Sequence, residues 1–256
     1  MIAKTRLHPR ALMPMLVPSL VLLAAVWAPA SGAQTAARAI LARYAEVTNA
    51  AKFATLPGHR VKGTFDLPAA GLSGSMEGFS DQAGRAVQII TLPGIGEMKE
   101  GVDTAFAWSM NPIEGPKLIE GKEFVENRER EDPRAMRRDP AIVIDAQTLG
   151  DTTIDGDECV RLKLKWKSGR ESTECYSKKS GLLIAADGVE TSAMGEIKVS
   201  TSYSDYKTFE GITLPTKTVQ RAAGTEVTLR ITEVVFGAVD PAKLAIPPEI
   251  QALRKK

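Results

Sequence analysis

The sequence predicts a mainly β protein built on one strongly curved antiparallel sheet, and three observations carry that prediction. From His59 onward, apolar and polar residues alternate with a period of two through most of the chain, which is the pattern of half-buried strands. Gly, Pro, Asn or Asp punctuates nearly every junction between the alternating runs, as tight antiparallel connections require. Helical periodicity appears in only two places, with none of the strand-helix-strand rhythm that joins parallel strands.

At the N-terminus, Lys4, Arg6 and Arg10 precede the apolar run LVPSLVLLAAVWAPA, and small residues follow at Ser31, Gly32 and Ala33. This is the build of a secretory signal peptide cleaved after Ala33, with Ala28-Pro29-Ala30 as a second candidate site. Pro14 stands just before the run and Pro18 inside it, and the run falls short of the roughly 20 apolar residues of a spanning helix. The expected division is therefore a leader over residues 1–33 and a single domain over residues 34–256, exported to the periplasm. No cysteine stands near the cleavage site to carry a lipid.

Next comes AARAILARYAEVTNAAKF, where Ile40, Tyr44 and Val47 form one apolar stripe of an amphipathic helix. Twelve strand candidates follow: HRVKGTFDL, LSGSMEGFSD, RAVQIITL, IGEMKEG, TAFAWSM, TTIDGD, CVRLKLKWK, ESTECYS, LLIAADGV, EIKVSTSYSDY, ITLPTKTVQRA and TEVTLRITEVVF. In CVRLKLKWK, the apolar Val160, Leu162, Leu164 and Trp166 alternate with Arg161, Lys163, Lys165 and Lys167. A slip of one residue would expose the whole apolar set, so the two faces are fixed. One charged segment, residues 120–147, interrupts the strands and reads as a helical lid, with disorder over Arg128 to Pro140 as the alternative.

Composition excludes several function classes. With the three leader cations set aside, 30 Lys and Arg face 31 acids, so the bulk charge calls for neither nucleic acid nor an anionic membrane. The only histidine after the leader is His59, and the only cysteines are Cys159 and Cys175; these make none of the usual zinc sets. GPKLIEGKE has five residues between Gly115 and Gly121 and places Glu123 after Lys122, which fails the phosphate-binding loop at both positions that matter. GLSGS lacks the spacing of a nucleophile elbow and GIGEMK the third glycine of a dinucleotide fingerprint. His59 reads as a surface turn residue. No catalytic residue, metal or cofactor is expected.

Cys159 and Cys175 flank the KSGR turn of one hairpin. A two-residue turn puts their side chains on opposite faces. A three-residue turn with a bulge sets them diagonally on one face, where a disulfide becomes feasible. Both arrangements stand open.

Twelve strands leave more apolar sheet surface than one short helix can cover, and an imperfectly covered concave face makes an apolar cavity. The candidates for its wall are Phe65, Met76, Phe79, Val87, Ile89, Met98, Trp108, Val160, Leu162, Leu164 and Trp166. Ile40, Tyr44 and Val47 from the helix and Phe124 from the lid would close it.

Asp103, Trp108 and Asn111-Pro112, together with VDPAKLAIPPEI at the C-terminus, resemble signature segments of the periplasmic outer-membrane lipoprotein carrier (LolA-like) family. The SDYKTFEGITLPTK segment, with Tyr206, Gly211 and Pro215, is similar to the wider set of exported lipoprotein-sorting-like proteins. The resemblance implies an unclosed β half-barrel, lidded by helices, that binds lipid or lipoprotein acyl chains as a non-enzymatic monomer. A docking or envelope-stress sensing role with envelope proteins is the alternative. Thr104 stands at the family's turn glycine, and QAGR, Gln82 to Arg85, stands where the carrier has a lid-holding Arg-Pro; these departures point to a paralogue with another apolar cargo.

Overall fold

The computed structural model describes residues 30–192 and 195–254; most of the expected leader, residues 1–29, lies outside the described residues. Helix α1 (Ala30–Val47) and the short α2 (Ala50–Phe53) lead into the strands β1 (Gly58–Leu67), β2 (Leu72–Asp81), β3 (Ala86–Leu92), β4 (Gly96–Val102), β5 (Ala107–Asn111) and β6 (Gly115–Ile119). Helix α3 (Gly121–Arg130) and a run of turns follow. Then come β7 (Val143–Ile154), β8 (Asp157–Trp166), β9 (Glu171–Ser177), β10 (Leu183–Ser192), β11 (Gly195–Phe209), β12 (Ile212–Ala222), β13 (Thr225–Phe236) and α4 (Pro248–Leu253).

All thirteen strands join one antiparallel sheet in the order β6-β5-β4-β3-β2-β1-β13-β12-β11-β10-β9-β8-β7. The chain starts in the middle of the sheet, meanders out to the edge at β6 and crosses to the opposite edge at β7. It then returns until β13 pairs with β1. The edges β6 and β7 do not pair with each other, so the barrel stays open. The crossing segment, 120–142, has to span the open side, which is why this chain carries its lid there.

The expectation of a helical lid over residues 120–147 is corrected. The lid is helical only over Gly121–Arg130, is turns to residue 142, and is strand β7 from Val143. Gly115 and Pro116 open β6. Asn111 makes the turn before it: its Oδ1 accepts from the backbone of Ile113 (2.9 Å) and Glu114 (2.7 Å). Gly101 lies inside β4 opposite Trp108.

Register fixes which residues share a face. In the β8–β9 hairpin, Leu164 pairs with Ser172 and Lys165 with Glu171. The loop is therefore Lys167-Ser168-Gly169, with Gly169 at φ 91°, the left-handed position a three-residue hairpin needs. Cys159, opposite Ser177, and Cys175, opposite Arg161, then stand diagonal on one face and are bonded, with Cα atoms 5.6 Å apart. Leu162, Leu164 and Trp166 are buried, while Arg161, Lys163, Lys165 and Lys167 are exposed.

A bulge at Thr232 shifts the pairing of β13 with β1: Gly63 faces Ile231, whereas Lys62 faces Glu233. In TEVTLRITEVVF the apolar period accordingly skips one residue, from Val227, Leu229 and Ile231 to Val234 and Phe236. All five keep to the concave face because the backbone absorbs the extra residue.

Two separate cores flank the sheet. The stripe Ala37, Leu41 and Tyr44 of α1 packs on Val143, Ala146, Leu162, Leu164, Trp166 and Tyr176 of the β7–β9 end, joined by Ala135 and Ile142 of the lid. The stripe is centred on Leu41, and Ile40 is only half-buried beside it. At the other end, Phe79, Val87, Phe106 and Trp108 pack under Leu244 and Ile250 of the C-terminal segment.

Candidate functional site: the hollow under the lid

The α1 core and the lid leave part of the concave face unfilled. A hollow of about 530 Å³ is lined by β9–β12, β1 and β2, bounded by α2 at one end and the lid above. A second lobe of about 280 Å³ extends over β1–β5 beneath α3. His59, Ser80, Arg130 and Glu131 border both lobes, so the two meet there.

The wall is amphipathic. Phe53, Leu56, Met136, Val199 and Tyr203 give the larger lobe its apolar surface, and Ser172, Thr201, Thr218 and Gln220 line its floor. Burial, together with the charge of Glu174, pushes the Tyr203 hydroxyl up to about 12, so it stays a neutral donor. His59 corrects the expectation of a surface turn residue: it sits in β1 on the concave face, with Phe53 5.1 Å and Phe236 6.5 Å away between ring centres. Desolvation pushes its imidazole below 6.5, and among the described residues its side chain makes no hydrogen bond. Among the described residues no cluster of three His, Cys, Asp or Glu could hold a metal.

The lid is pinned by charged groups. Arg138 donates to both carboxylate oxygens of Glu174 (3.0 and 3.1 Å) and to the Ala135 carbonyl (2.9 Å). Its guanidinium carbon is 5.3 Å from the ring centres of both Tyr44 and Trp166, and Tyr176 donates its hydroxyl to Glu174. Burial opposes the charge on Arg138, but Glu174 and the two tyrosines hold its basicity well above the ordinary value. Glu126 accepts from the backbone and hydroxyl of Thr191 (3.3 and 3.2 Å), and Glu129 from those of Ser168 (2.6 and 2.8 Å). At QAGR, Arg85 pairs with Asp81 at 2.7 Å, and Arg128 of the lid reaches down to the Ala83 and Gly84 carbonyls.

No protein-family model matches the chain, and no curated protein matches it in sequence. Solved structures do match in three dimensions. A DUF1329 family protein from Desulfovibrio piger aligns with a TM-score of 0.58 at 13% identity, over 83% of this chain and 97% of that one. A LolA superfamily protein from Nitrosomonas europaea aligns with a TM-score of 0.55 at 14% identity, over 82% and 97%. An outer-membrane lipoprotein-sorting protein domain from Vibrio parahaemolyticus gives 0.50 at 11%, over 80% and 97%. The fold is LolA-like.

In this LolA-like half-barrel the fifteen wall and closure candidates fall in separate places. Trp166 borders the larger lobe; Met76, Phe79, Val87 and Trp108 border the smaller one. Phe79, Val87 and Trp108 also form the core beneath the C-terminal segment, and Ile89 packs against it. Tyr44, Leu162 and Leu164 are buried in the α1 core, with Ile40 and Val160 packed against it. Phe65 is buried. Val47, Met98 and Phe124 are half-buried, with Met98 in the same cross-strand row as Met76.

The polar residues of the hollow, above all Arg130, Arg138 and Arg170, were not singled out in sequence. Their one sequence signal is that Arg170 follows directly on the turn of a hairpin whose Trp166 points inward.

Proposed function

We propose that this chain is a non-enzymatic binding protein of the periplasm, released from its leader near Ala33, whose domain over residues 34–256 holds a lipid or lipoprotein acyl chain. The observation that carries this reading is the unfilled hollow of about 530 Å³ on the concave face, within the roughly 300–1,000 Å³ range of ligand sites. Its mixed lining suits an amphiphile better than a bare hydrocarbon. The solved lipoprotein-sorting domain of similar fold is consistent with the proposal. The decisive experiment is organic extraction of the purified chain followed by mass spectrometry, with a fluorescent fatty acid titrated into the delipidated protein. Co-purifying lipid and saturable binding are expected; the absence of both overturns the reading.

A second reading, docking of an acidic envelope protein, is favoured by one observation. Arg161, Lys165 and Lys167 are exposed on the outer face, and among the described residues they make no ion pair, whereas Lys163 pairs with Glu171 at 2.8 Å. Charge reversal of these three would abolish such docking and leave fatty-acid binding intact.

A further inference from the structure

The chemistry of the ligand's polar end follows from three arginines that border the larger lobe, and the inference rests on reading that lobe as an amphiphile site. Arg138 is fully engaged with Glu174 and the Ala135 carbonyl. Arg170 and Arg130 are not. The Arg170 guanidinium carbon lies 4.1 Å from the Trp166 ring centre, a contact that orients its plane. Its side chain is only 14% exposed, and its closest carboxylate contact is Glu129, with Nε 3.8 Å from Oε1. Among the described residues this guanidinium makes no hydrogen bond, and its Nε is buried without a partner. Arg130 donates Nη1 to Asn127 at 2.7 Å but leaves Nη2 without a hydrogen bond, 3.4 Å from Glu190 and 4.0 Å from Glu126.

Apart from Glu190, which faces Arg130 Nη2 at 3.4 Å, the neighbouring acids are already committed. Both oxygens of Glu129 accept from Ser168, both of Glu126 from Thr191, and both of Glu174 from Arg138 and Tyr176. Asp132 is held by Arg134 and Asp81 by Arg85. Glu131 has no ion pair among the described residues, but burial pushes its carboxyl toward the neutral form. Arg170 therefore lacks an acceptor for a fixed donor: its Nε is buried without one, and a buried donor left unmet is costly. Burial and repulsion from Arg130 also lower the basicity of Arg170, a strain that an arriving anion relieves.

We propose that Arg170, with Arg130, receives the anionic oxygen-rich head of an amphiphile, a carboxylate or phosphate, while the chain lies along Val199, Tyr203, Phe53 and Leu56. A planar guanidinium stacked on an aromatic ring suits two-point contact with such a head.

The test compares cis-parinaric acid with its methyl ester by fluorescence titration of the purified chain above neutral pH. The acid is expected to bind about tenfold or more tightly than the ester, the scale of one charge-assisted hydrogen-bond pair. Arg170→Gln should bring the acid down to the ester's affinity and change the ester by less than about twofold, a difference of under about 0.4 kcal/mol. Equal affinity of acid and ester in the unaltered protein, or equal loss of both in R170Q, overturns the proposal while the lobe keeps its amphiphile reading. Binding of neither probe removes both. Inorganic phosphate in excess should not displace the acid; if it does, the site is one for a free small anion and the amphiphile head is refuted. Circular dichroism checks folding. Should R170Q not fold, R170K keeps the charge but loses the fork, and must still lose affinity for the acid selectively.

Discussion

Replacing Arg138 with Met should destabilise the protein and release the lid before the sheet. Arg138 and Glu174 have side chains only 12% and 4% exposed, and Glu174 receives two hydrogen bonds from Arg138 and one from Tyr176. Arg138→Met leaves a buried carboxylate with the tyrosine as its one remaining donor. Removing one partner of a buried pair costs about 3–5 kcal/mol. In a domain of this size that lowers the melting midpoint by roughly 6–20 °C, at about 2–4 °C per kcal/mol. Removing both charges, as R138M with Glu174→Leu, takes away the uncompensated carboxylate, so the double variant should be more stable than R138M alone. Urea unfolding measures the equilibrium part. Hydrogen exchange over residues 121–142 measures the lid, which should exchange faster in R138M than β11–β13 does. A cost below about 1 kcal/mol for R138M, or a double variant as unstable as the sum of the singles, would refute the assignment of this pair as the lid's anchor.

Three other outcomes can be checked with simple assays. Thiol titration of the chain unfolded without reductant should detect no free cysteine, and replacing Cys159 and Cys175 by Ser should cost about 3 kcal/mol, the chain-entropy value for a loop near this length. His59 is the only histidine outside the leader, so its proton NMR titration can be read singly in a chain freed of that segment, and its midpoint should lie below 6.5. The unfolded chain then binds the extra proton, so the His59 contribution is fully present above about pH 6.5 and is lost as pH falls through that value toward the folded one. In His59→Phe this loss should vanish from the acid side of the stability profile. A side chain at Gly101 would place its Cβ 2.3 Å from the Trp108 ring, so Gly101→Ala should displace the indole, cost about 1–3 kcal/mol and red-shift its fluorescence.

Much of the fold was legible because strand periodicity is local. The alternation in CVRLKLKWK fixes its faces whatever its neighbours are, and the three-residue hairpin that permits the Cys159–Cys175 bond was one of two open geometries. Strand β6 is not legible because Gly115-Pro116 has the chemistry of a turn, and an edge strand tolerates it by needing its N–H groups on one side only. The expected stripe on α1 is Ile40, Tyr44 and Val47, whereas the sheet meets the helix along Ala37, Leu41 and Tyr44; the two stripes share Tyr44, and only the docking direction separates the rest. For the candidate site the difficulty was parity. Phe79, Val87 and Trp108 lie in one cross-strand row, and their large side chains belong to the core under the C-terminal segment. Nothing local in the sequence says that this segment covers the outer face.

By itself, the amino-acid sequence determined the strand content, the two faces of each clear strand, the interruption that becomes the lid, and the absence of the usual catalytic motifs. These depend on interactions spanning a few residues, which periodicity and turn chemistry report directly. Tertiary structure alone decided the pairing of β1 with β13, which sends the 120–142 segment across the open side, and with it the assembly of Arg130, Arg138 and Arg170 around one hollow. Those residues come from a helix end, a turn and a hairpin, and their proximity results from sheet curvature and register accumulated over many strands, which no short stretch of sequence encodes.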